Sequence, residues 1–416
     1  MIKRIAAICF IFFCTTVAWM ILGGTIFQRT YSADGSLEGK VASSWGTKQT
    51  QKAPAANYFE EHVRTEELQE NGRTVQKRIT ESVPVKVPLE ASRVDVAVHL
   101  DPRQKGLLWY STYGVDFSGT YTYLNNSNAE RTIYVRMDFP AAHAVYDDLA
   151  LTVDGNPLTP AIDSNGVAAN FTAPSGKPVQ VTYSYHSQGM ESWSYKFGDD
   201  VSSVKDFVLT MKTNFKNVDF GPETLSPTEK RETDDGQLLT WRYKNLLSGL
   251  QVGTTMPEKL QPGPLTGQIS FFAPVSLFFF FFLMFILTTL RGIDLHPMNY
   301  FFLATAFFAF HLLMAYLVDH ISIHVAFAIC SAVSVFLVVS YLRLVVGMRF
   351  AALEAGGAQL VYLVLFSYAF FFKGLTGLAI TIGSIITLFV VMQLTGRVKW
   401  EEKFAAKVGA APTIAS

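Results

Sequence analysis

The sequence predicts an integral membrane protein with six transmembrane helices, one N-terminal and five C-terminal, and an inserted extracytoplasmic all-β, sandwich-like domain. Long apolar runs lie near the start of the chain and throughout its last third. Charged residues are concentrated between them: residues 25–268 hold 24 of the 34 Lys and Arg and 29 of the 34 Asp and Glu. The same central region alternates β-forming residues with turn residues, which is typical of strands.

The apolar runs are long enough to cross the hydrocarbon core, which takes about 20 helical residues. Lipid offers the backbone no hydrogen-bond partner, so each run is predicted to be helical. The first run is longer than a signal-peptide core and lacks a small-residue cleavage site, which favours a retained anchor over a cleaved signal. The predicted spans are residues 5–22, 269–290, 298–318, 321–342, 355–372 and 375–395.

The distribution of Lys and Arg near the spans predicts the orientation. With the N-terminus in the cytoplasm, only Lys373 falls in a short outer connection. Both termini are therefore predicted to be cytoplasmic and the central domain to lie outside. The basic residues that fall on the cytoplasmic side are Lys3, Arg4, Arg291, Arg343, Arg349, Arg397, Lys399, Lys403 and Lys407.

The chain divides into six predicted segments. Within the second, the spacing of Tyr58, Phe59, Val63 and Leu68 predicts a short amphipathic helix over residues 58–69. The segments are an anchor (1–24), a linker with a short helical segment (25–82), the β domain (83–256), a second linker (257–268), a five-helix bundle (269–396) and a cytoplasmic tail (397–416).

The β domain is predicted from alternating strands and from dipeptides that suit hairpin turns with positive φ: Asp154-Gly155, Asn165-Gly166 and Asp235-Gly236. Several short strands with such turns indicate an antiparallel sandwich. Its mildly acidic balance gives no reason to expect a nucleic-acid partner. The predicted strands cover residues 94–100, 107–124, 131–139, 149–153, 167–171, 179–186, 206–213 and 238–243.

Four motifs resemble the CreD family of bacterial inner membrane proteins. They are Leu295-His296-Pro297-Met298-Asn299-Tyr300 with Tyr316-Leu317-Val318-Asp319-His320, Ser43-Ser44-Trp45-Gly46 with Gln49-Thr50-Gln51, Lys105-Gly106-Leu107-Leu108-Trp109-Tyr110 with Val115-Asp116-Phe117-Ser118-Gly119, and Arg397-Val398-Lys399-Trp400. The resemblance implies a multi-pass protein of the bacterial inner (plasma) membrane, with a periplasmic domain and a role in cell envelope integrity. It implies no enzymatic activity and no catalytic residues. The sequence departs from the family's pattern at residues 52–78, which are polar and predicted to be helical.

Polar residues inside the predicted spans are candidates for function, because lipid makes them costly. His311 lies near mid-depth of the third span, where it could relay protons or bind a substrate. The structural alternative is a hydrogen bond to a neighbouring helix.

A second group of candidates is Asp319, His320 and His324, at the predicted outer turn between the third and fourth spans. A helix there would place His320 and His324 on one face with the spacing of zinc ligands, although two histidines and one carboxylate leave the set incomplete. The alternative is that Asp319 caps a helix.

His296 and Pro297 form the predicted inner turn before the third span, together with Asp294. Pro297 presets the backbone for the first turn of a helix, and Asp294 can pair with Arg291 nearby. The turn is expected to be structural, and a binding site for a cytoplasmic partner is the alternative. In the sixth span, Ala379 and Gly383 form a small-xxx-small pattern that permits close helix packing.

No catalytic residue, metal ligand or cofactor is predicted, since the sequence has no nucleophile elbow, phosphate loop or cysteine pair. Asp199-Asp200 could contribute to a calcium site, but the local sequence supplies few oxygen ligands. Two functional hypotheses lead, ahead of an enzyme that acts on lipid or cell-wall substrates and a sensor that passes external signals inward through a partner protein. The first is a non-enzymatic protein that contacts the lipid bilayer and whose β domain binds another envelope protein or envelope polymer. The alternative is a small transporter or lipid-handling protein that uses the helix bundle.

Overall fold

The computed structural model describes residues 2–70, 73–142, 144–198, 202–372 and 374–396. Asp199, Asp200 and the predicted tail 397–416 lie outside these residues. The chain forms two compact units, which we call the membrane unit and the β unit. The membrane unit comprises Met1–Asp34, Gly106–Leu108 and Leu260–Ser416, and the β unit comprises Gly35–Lys105 and Trp109–Lys259.

Six helices of the described chain are long and apolar enough to cross a membrane, which confirms the predicted spans in number and position. Among the five C-terminal spans the last is the least packed, since 11% of its apolar window is buried, against 50% for the fifth; the corresponding share for the first span is 6%. The helices are α1 (Ile2–Trp45), α2 (Pro262–Arg291), α3 (Pro297–Leu317), α4 (Ile323–Val346), α5 (Phe350–Phe371) and α6 (Thr376–Thr395).

Both predicted linkers differ from the structure. Residues 25–45 continue α1 to Trp45, because the polar stretch contains good helix formers and no proline to interrupt the hydrogen-bond ladder. The second linker, 257–268, is helical from Pro262 onward. A proline at the first helical position is favourable, since its missing N–H has no partner there in any case.

The three largest sheets of the β unit have four, eight and five strands. Their orders are β1-β14-β19-β16, β10-β9-β13-β7-β4-β15-β18-β17 and β11-β12-β8-β2-β3. The strands are β1 (Gln49–Lys52), β2 (Ala55–Glu70), β3 (Arg73–Lys86), β4 (Leu89–Leu100), β5 (Arg103–Lys105), β6 (Leu108–Tyr110), β7 (Thr112–Leu124), β8 (Arg131–Asp138), β9 (Tyr146–Val153), β10 (Asn156–Pro157), β11 (Ala161–Ile162), β12 (Gly166–Ala173), β13 (Pro178–Met190), β14 (Ser192–Lys196), β15 (Ser202–Thr213), β16 (Thr224–Leu225), β17 (Glu229–Glu232), β18 (Gln237–Ser248) and β19 (Gln251–Thr255).

The eight predicted strands coincide with observed ones, but the predicted helix over residues 58–69 is wrong. That segment lies in β2, which pairs with β3 in one continuous antiparallel hairpin from Asn57↔Lys86 to Glu70↔Arg73. Its irregular apolar spacing fits a half-exposed strand as well as a helix, and cross-strand pairing decides between them. The sandwich is also not purely antiparallel, since β4 pairs with β15 in parallel, as do β1 with β14 and β16 with β19.

The predicted hairpin turn with positive φ is confirmed at one of three positions. Asp154 and Gly155 have φ of 48° and 80° and join β9 to β10. Gly166 and Gly236 do not have positive φ. They are required for another reason: a Cβ would lie 2.3 Å from the Met137 carbonyl oxygen and 1.9 Å from that of Thr213, respectively. Close backbone approach, not turn conformation, selects glycine there.

One of the motifs that carry the family resemblance has a structural role inside the β unit. Gly46 has φ of 106°, and a Cβ would lie 2.4 Å from the Gln188 carbonyl oxygen of β13. Gln49 donates hydrogen bonds to the Ser187 hydroxyl and the Gln188 carbonyl, both at 2.8 Å. These contacts anchor the segment after α1 to the centre of the largest sheet.

Candidate functional site

The polar residues of the membrane unit form ion pairs at the helix ends. The guanidinium of Arg4 lies 2.6 Å from the carboxylate of Asp294, and Arg291 bonds to Glu354. The predicted pairing of Asp294 with Arg291 is therefore wrong, because each residue finds a partner from another helix. Arginine–carboxylate pairs of this kind tie helix ends together while the charges remain partly exposed.

His296 and Pro297 form the start of α3. The Nδ1 atom of His296 accepts a hydrogen bond from the backbone N–H of Met298 at 3.2 Å, so His296 acts as the N-cap. Pro297 follows at the first helical position. Two residues later, Asn299 accepts a 2.7 Å hydrogen bond from the hydroxyl of Tyr341 on α4. This turn starts a helix and attaches it to its neighbour.

At the opposite end of α3, Asp319 pairs with Arg29 of α1 at 3.4 Å. Arg29 also donates to the Ala315 carbonyl at 2.8 Å and lies 5.5 Å from the ring centre of Tyr316. The carboxylate thus binds an arginine that is already held by the end of the helix.

The two nearby histidines do not share a helical face. His320 precedes α4, which begins only at Ile323, whereas His324 lies within it and its ring packs 5.2 Å from that of Phe371. Within the described part of the chain, no group of three His, Cys, Asp or Glu side chains could hold a metal ion.

His311 is the most unusual polar residue of the bundle. It is 1% exposed, and its Nδ1 bonds to the Phe307 carbonyl one turn earlier at 3.0 Å. The carbonyl can only accept, so Nδ1 carries the proton and the neutral ring presents a lone pair at Nε2. Among the described residues, neither this Nε2 nor the indole Nε1 of Trp19, whose ring lies 5.6 Å away, has a hydrogen-bond partner.

A polar contact also links the middle of the bundle. Gln359 of α5 is fully buried and donates to the hydroxyl of Ser334 on α4 at 2.8 Å. Ser334 in turn donates to the Ala306 carbonyl of α3 at 2.7 Å. This chain ties three helices together, as polar side chains commonly do in membranes.

The β unit contains a cluster that the sequence did not reveal. Asp116 of β7 lies 2.7 Å from Nδ1 of His186 on β13 and 3.3 Å from Nε2 of His99 on β4. The three side chains are 41–56% exposed. Residues from three neighbouring strands meet only once strand order and register are known, so no local sequence signal could have indicated this cluster.

The core of the β unit is rich in tyrosine. Burial raises the pKa of Tyr113, Tyr121, Tyr123 and Tyr185 well above the usual value, and that of Tyr146 to about 12. These hydroxyls stay protonated at neutral pH; four of them donate hydrogen bonds, whereas Tyr121 accepts one from Tyr195.

The sequence model of the family described as "Inner membrane protein CreD" matches residues 268–401, a region that includes α3 with its His296-Pro297 start and its Asp319 end. This match confirms the resemblance to the family over residues 268–401. No curated protein matches the sequence.

Solved structures resemble part of the chain only distantly. A protein of Legionella pneumophila, whose description proposes nutrient binding, is 11% identical, with a TM-score of 0.33 over 47% of this chain and 71% of its own. An M1 zinc metallopeptidase of Deinococcus radiodurans is 8% identical, with a TM-score of 0.28 over 41% of this chain and 42% of its own. The chain thus spans less than half of the peptidase, and similarity at this level carries no functional argument.

Proposed function

We propose that this protein, whose residues 268–401 match the family described as "Inner membrane protein CreD", supports cell envelope integrity without catalysing a reaction. In this proposal both termini are cytoplasmic and the β unit is periplasmic, where it binds another envelope protein or an envelope polymer. The distribution of Lys and Arg residues near the spans supports the orientation. The family's association with the envelope supports the role.

The observation that carries the proposal is the β2–β3 hairpin. Only Ala55–Asn57 of β2 pair with the next strand, β8, whereas the pairing with β3 continues for the length of the hairpin. Beyond Asn57, therefore, the hairpin extends past its sheet, and β3 forms the sheet edge among the described strands. Unpaired strand edges recruit extended segments of other chains through backbone hydrogen bonds.

The hairpin also presents apolar side chains to solvent. Phe59 is 44% exposed, Val63 64% and Ile79 38%. Phe59 and Val63 lie on one face, since residues two apart along a strand point the same way. Ile79 pairs with Arg64 and so lies on the other face. An open edge with apolar side chains on both faces suits a partner that wraps or extends the hairpin.

The test is complementation of envelope permeability in a strain that lacks the protein, with a dye excluded by an intact envelope as the readout. We compare the full chain, Phe59→Ser/Val63→Ser and the triple variant His311→Ala/Asp319→Ala/His320→Ala, all at equal membrane levels. We expect the hairpin variant to lose at least half of the complementing activity and the triple variant to retain it.

A matched control is Leu247→Ser/Leu250→Ser, which removes two exposed apolar side chains (74% and 41%) elsewhere in the β unit. It should complement fully. If the hairpin variant complements as well as this control while the triple variant fails, the function lies in the bundle and the proposal is wrong.

A second candidate function is transport or lipid handling by the bundle. The unpartnered Nε2 of His311 beside Trp19 favours it, because a buried polar atom without a partner costs about 1–3 kcal/mol and marks a place where a ligand could bind. Loss of activity in the His311→Ala variant alone would support this candidate over the first.

A further inference from the structure

A cavity of about 450 Å³, partly open at the surface of the bundle, lies between α2, α5 and α6 of the membrane unit. Apolar side chains such as Phe279, Val361 and Ile386 make up almost all of its wall. Ala379 and Gly383, whose spacing predicted close helix packing, line this cavity instead, and a Cβ at Gly383 would have no atom within 4 Å. The small residues of α6 thus leave space rather than bring helices together.

The shape of α5 follows the cavity. Its wall residues recur at intervals of four: Gly357 and Ala358, Val361 and Tyr362, Leu365 and Phe366, and Ala369. In a regular α-helix, four residues overshoot a turn by about 40°, so such a row would wind away from the cavity. The π-helical segment Leu360–Leu365 lies within this row and widens α5 there. Wider turns keep the row on one face, and such π segments are frequent at functional sites.

The hydroxyls in the cavity wall are already satisfied. Tyr362 donates to Thr387 at 3.0 Å, and Thr387 donates to the Gly383 carbonyl at 2.8 Å. Ser384 donates to the Ile380 carbonyl at 2.8 Å. An occupant therefore meets no free donor in the wall, and the wall selects an apolar molecule.

The dimensions of the cavity select among apolar occupants. The wall residues of α6, from Ala379 to Val390, extend for about 17 Å at 1.5 Å per residue. A volume of about 450 Å³ over that length gives a mean cross-section on the order of 25 Å². Carbon atoms pack about 4 Å apart, so this width accommodates one or two hydrocarbon chains. A helix with its side chains is about 10–12 Å wide and does not fit.

We propose that this cavity is a binding site for the acyl chains of a membrane phospholipid. The site lies within the transmembrane bundle, where lipid is the surrounding solvent, and its wall is completed by α6, the least packed of the five C-terminal spans. A bound chain would fill the space and restore the packing contacts that α6 lacks. The proposal does not depend on the function assigned to the β unit.

The test uses the full chain reconstituted into vesicles of phosphatidylethanolamine and phosphatidylglycerol, with a small fraction of phospholipid that carries a photoreactive acyl chain. The protein is irradiated and re-extracted in detergent. Native mass spectrometry then counts the retained lipid, and peptide mapping locates the cross-links. We expect one phospholipid per chain, cross-linked to the wall residues of α5 and α6.

The variant Gly357→Leu/Gly383→Leu fills the cavity from two walls, and neither added Cβ has an atom within 4 Å. The matched control Gly24→Leu/Gly377→Leu makes the same change at two helical glycines that are equally unhindered and lie outside the cavity wall. Retained lipid should fall at least tenfold in the first variant and stay unchanged in the control.

Three results would overturn the proposal: no retained lipid in the parent protein, equal retention in the cavity variant, or cross-links spread evenly over all spans. Light scattering adds a fourth. If the cavity variant dissociates an oligomer that the control preserves, the occupant is a helix of a second copy and not a lipid chain.

Discussion

The membrane unit and the β unit differ in the hydrogen bonding of their buried polar groups. In the β unit, buried hydroxyls mostly reach a partner: Tyr113 donates to Ser192, Tyr123 to Pro54 and Tyr185 to Gln51, all at 2.7–2.8 Å. In the membrane unit, several buried polar atoms have no partner among the described residues, including Thr266 Oγ1 and His311 Nε2. The β unit also has buried polar atoms without a partner among the described residues, such as Tyr183 Oη and Trp193 Nε1, so the difference lies in its tyrosine hydroxyls, most of which reach a partner.

The difference has a physical origin. A sheet brings backbone carbonyls and side chains of distant segments together, so a core tyrosine can reach an acceptor. A transmembrane helix satisfies its own backbone and leaves few acceptors for side chains of other helices. Its buried polar groups then bond within their own helix, as His311 does, or remain available to a ligand. A buried polar group without a hydrogen-bond partner is therefore stronger evidence of a binding site in the membrane unit than in the β unit.

The largest expected effect tests this contrast inside the β unit. Tyr185→Phe removes the 2.8 Å hydrogen bond to Gln51 but keeps the ring stacked on Phe117, with centroids 4.8 Å apart. The buried Gln51 oxygen loses its donor, so unfolding free energy should fall by about 1–3 kcal/mol. Urea unfolding of the full chain, followed by near-ultraviolet circular dichroism, measures it.

Tyr183→Phe is the control for that prediction. Tyr183 is equally buried, but its hydroxyl has no partner within the described residues. Its removal should change the unfolding free energy by less than about 0.5 kcal/mol, or even stabilise the domain. Equal losses in the two variants would mean that hydrogen bonding does not set the stability of this core.

A smaller effect is expected from the corresponding pair in the membrane unit. Ser334→Ala leaves the Gln359 amide without its acceptor, while Thr266→Val removes an unpartnered hydroxyl at constant shape. Hydrogen bonds between transmembrane helices contribute about 0.6 kcal/mol on average and at most about 1.7 kcal/mol. Unfolding in mixed detergent micelles should therefore show a loss for Ser334→Ala and none for Thr266→Val. The reverse order would contradict the proposed contrast.

The two units also differ in what the sequence could predict. Hydropathy indicated all six spans, because a helix in lipid depends only on its own residues. It could not indicate that α1 continues to Trp45 or that α2 begins at Pro262, since both ends lie where apolar residues have stopped or not yet begun.

In the β unit, strand positions were predictable but strand partners were not. The apolar spacing of the segment containing Tyr58 and Val63 predicts a helix, because that spacing does not show the pairing with β3 that makes the segment a strand. For the same reason the Asp116–His186–His99 cluster was not foreseen, as it depends on the register of three strands. Both the hairpin and the cluster depend on pairing between strands that are distant in the sequence, and a single sequence does not indicate which strands pair.

The smallest expected effect concerns the acid stability of the β unit. Asp163 receives two hydrogen bonds from Arg136, at 2.7 and 3.0 Å, and further ones from the backbone N–H groups of Asn165 and Gly166. The arginine first, and then these N–H groups, hold the pKa of the carboxyl well below its usual range. Both side chains are about half exposed, so salt screens the pair.

The sign of the pH dependence follows from that shift. The unfolded carboxyl has a pKa of about 3.9, so the pair stabilises the fold above that pH and loses its contribution as pH falls through the lower folded value. Asp163→Asn keeps an acceptor for Asn165 and Gly166 but has no charge, so its melting temperature should fall less between pH 5 and pH 3 than that of the parent. Arg136→Gln should also reduce the fall in melting temperature between pH 5 and pH 3. Combining the two substitutions should reduce it no further than Asp163→Asn alone. An equal fall in melting temperature in all four proteins would show that this pair does not contribute to acid stability.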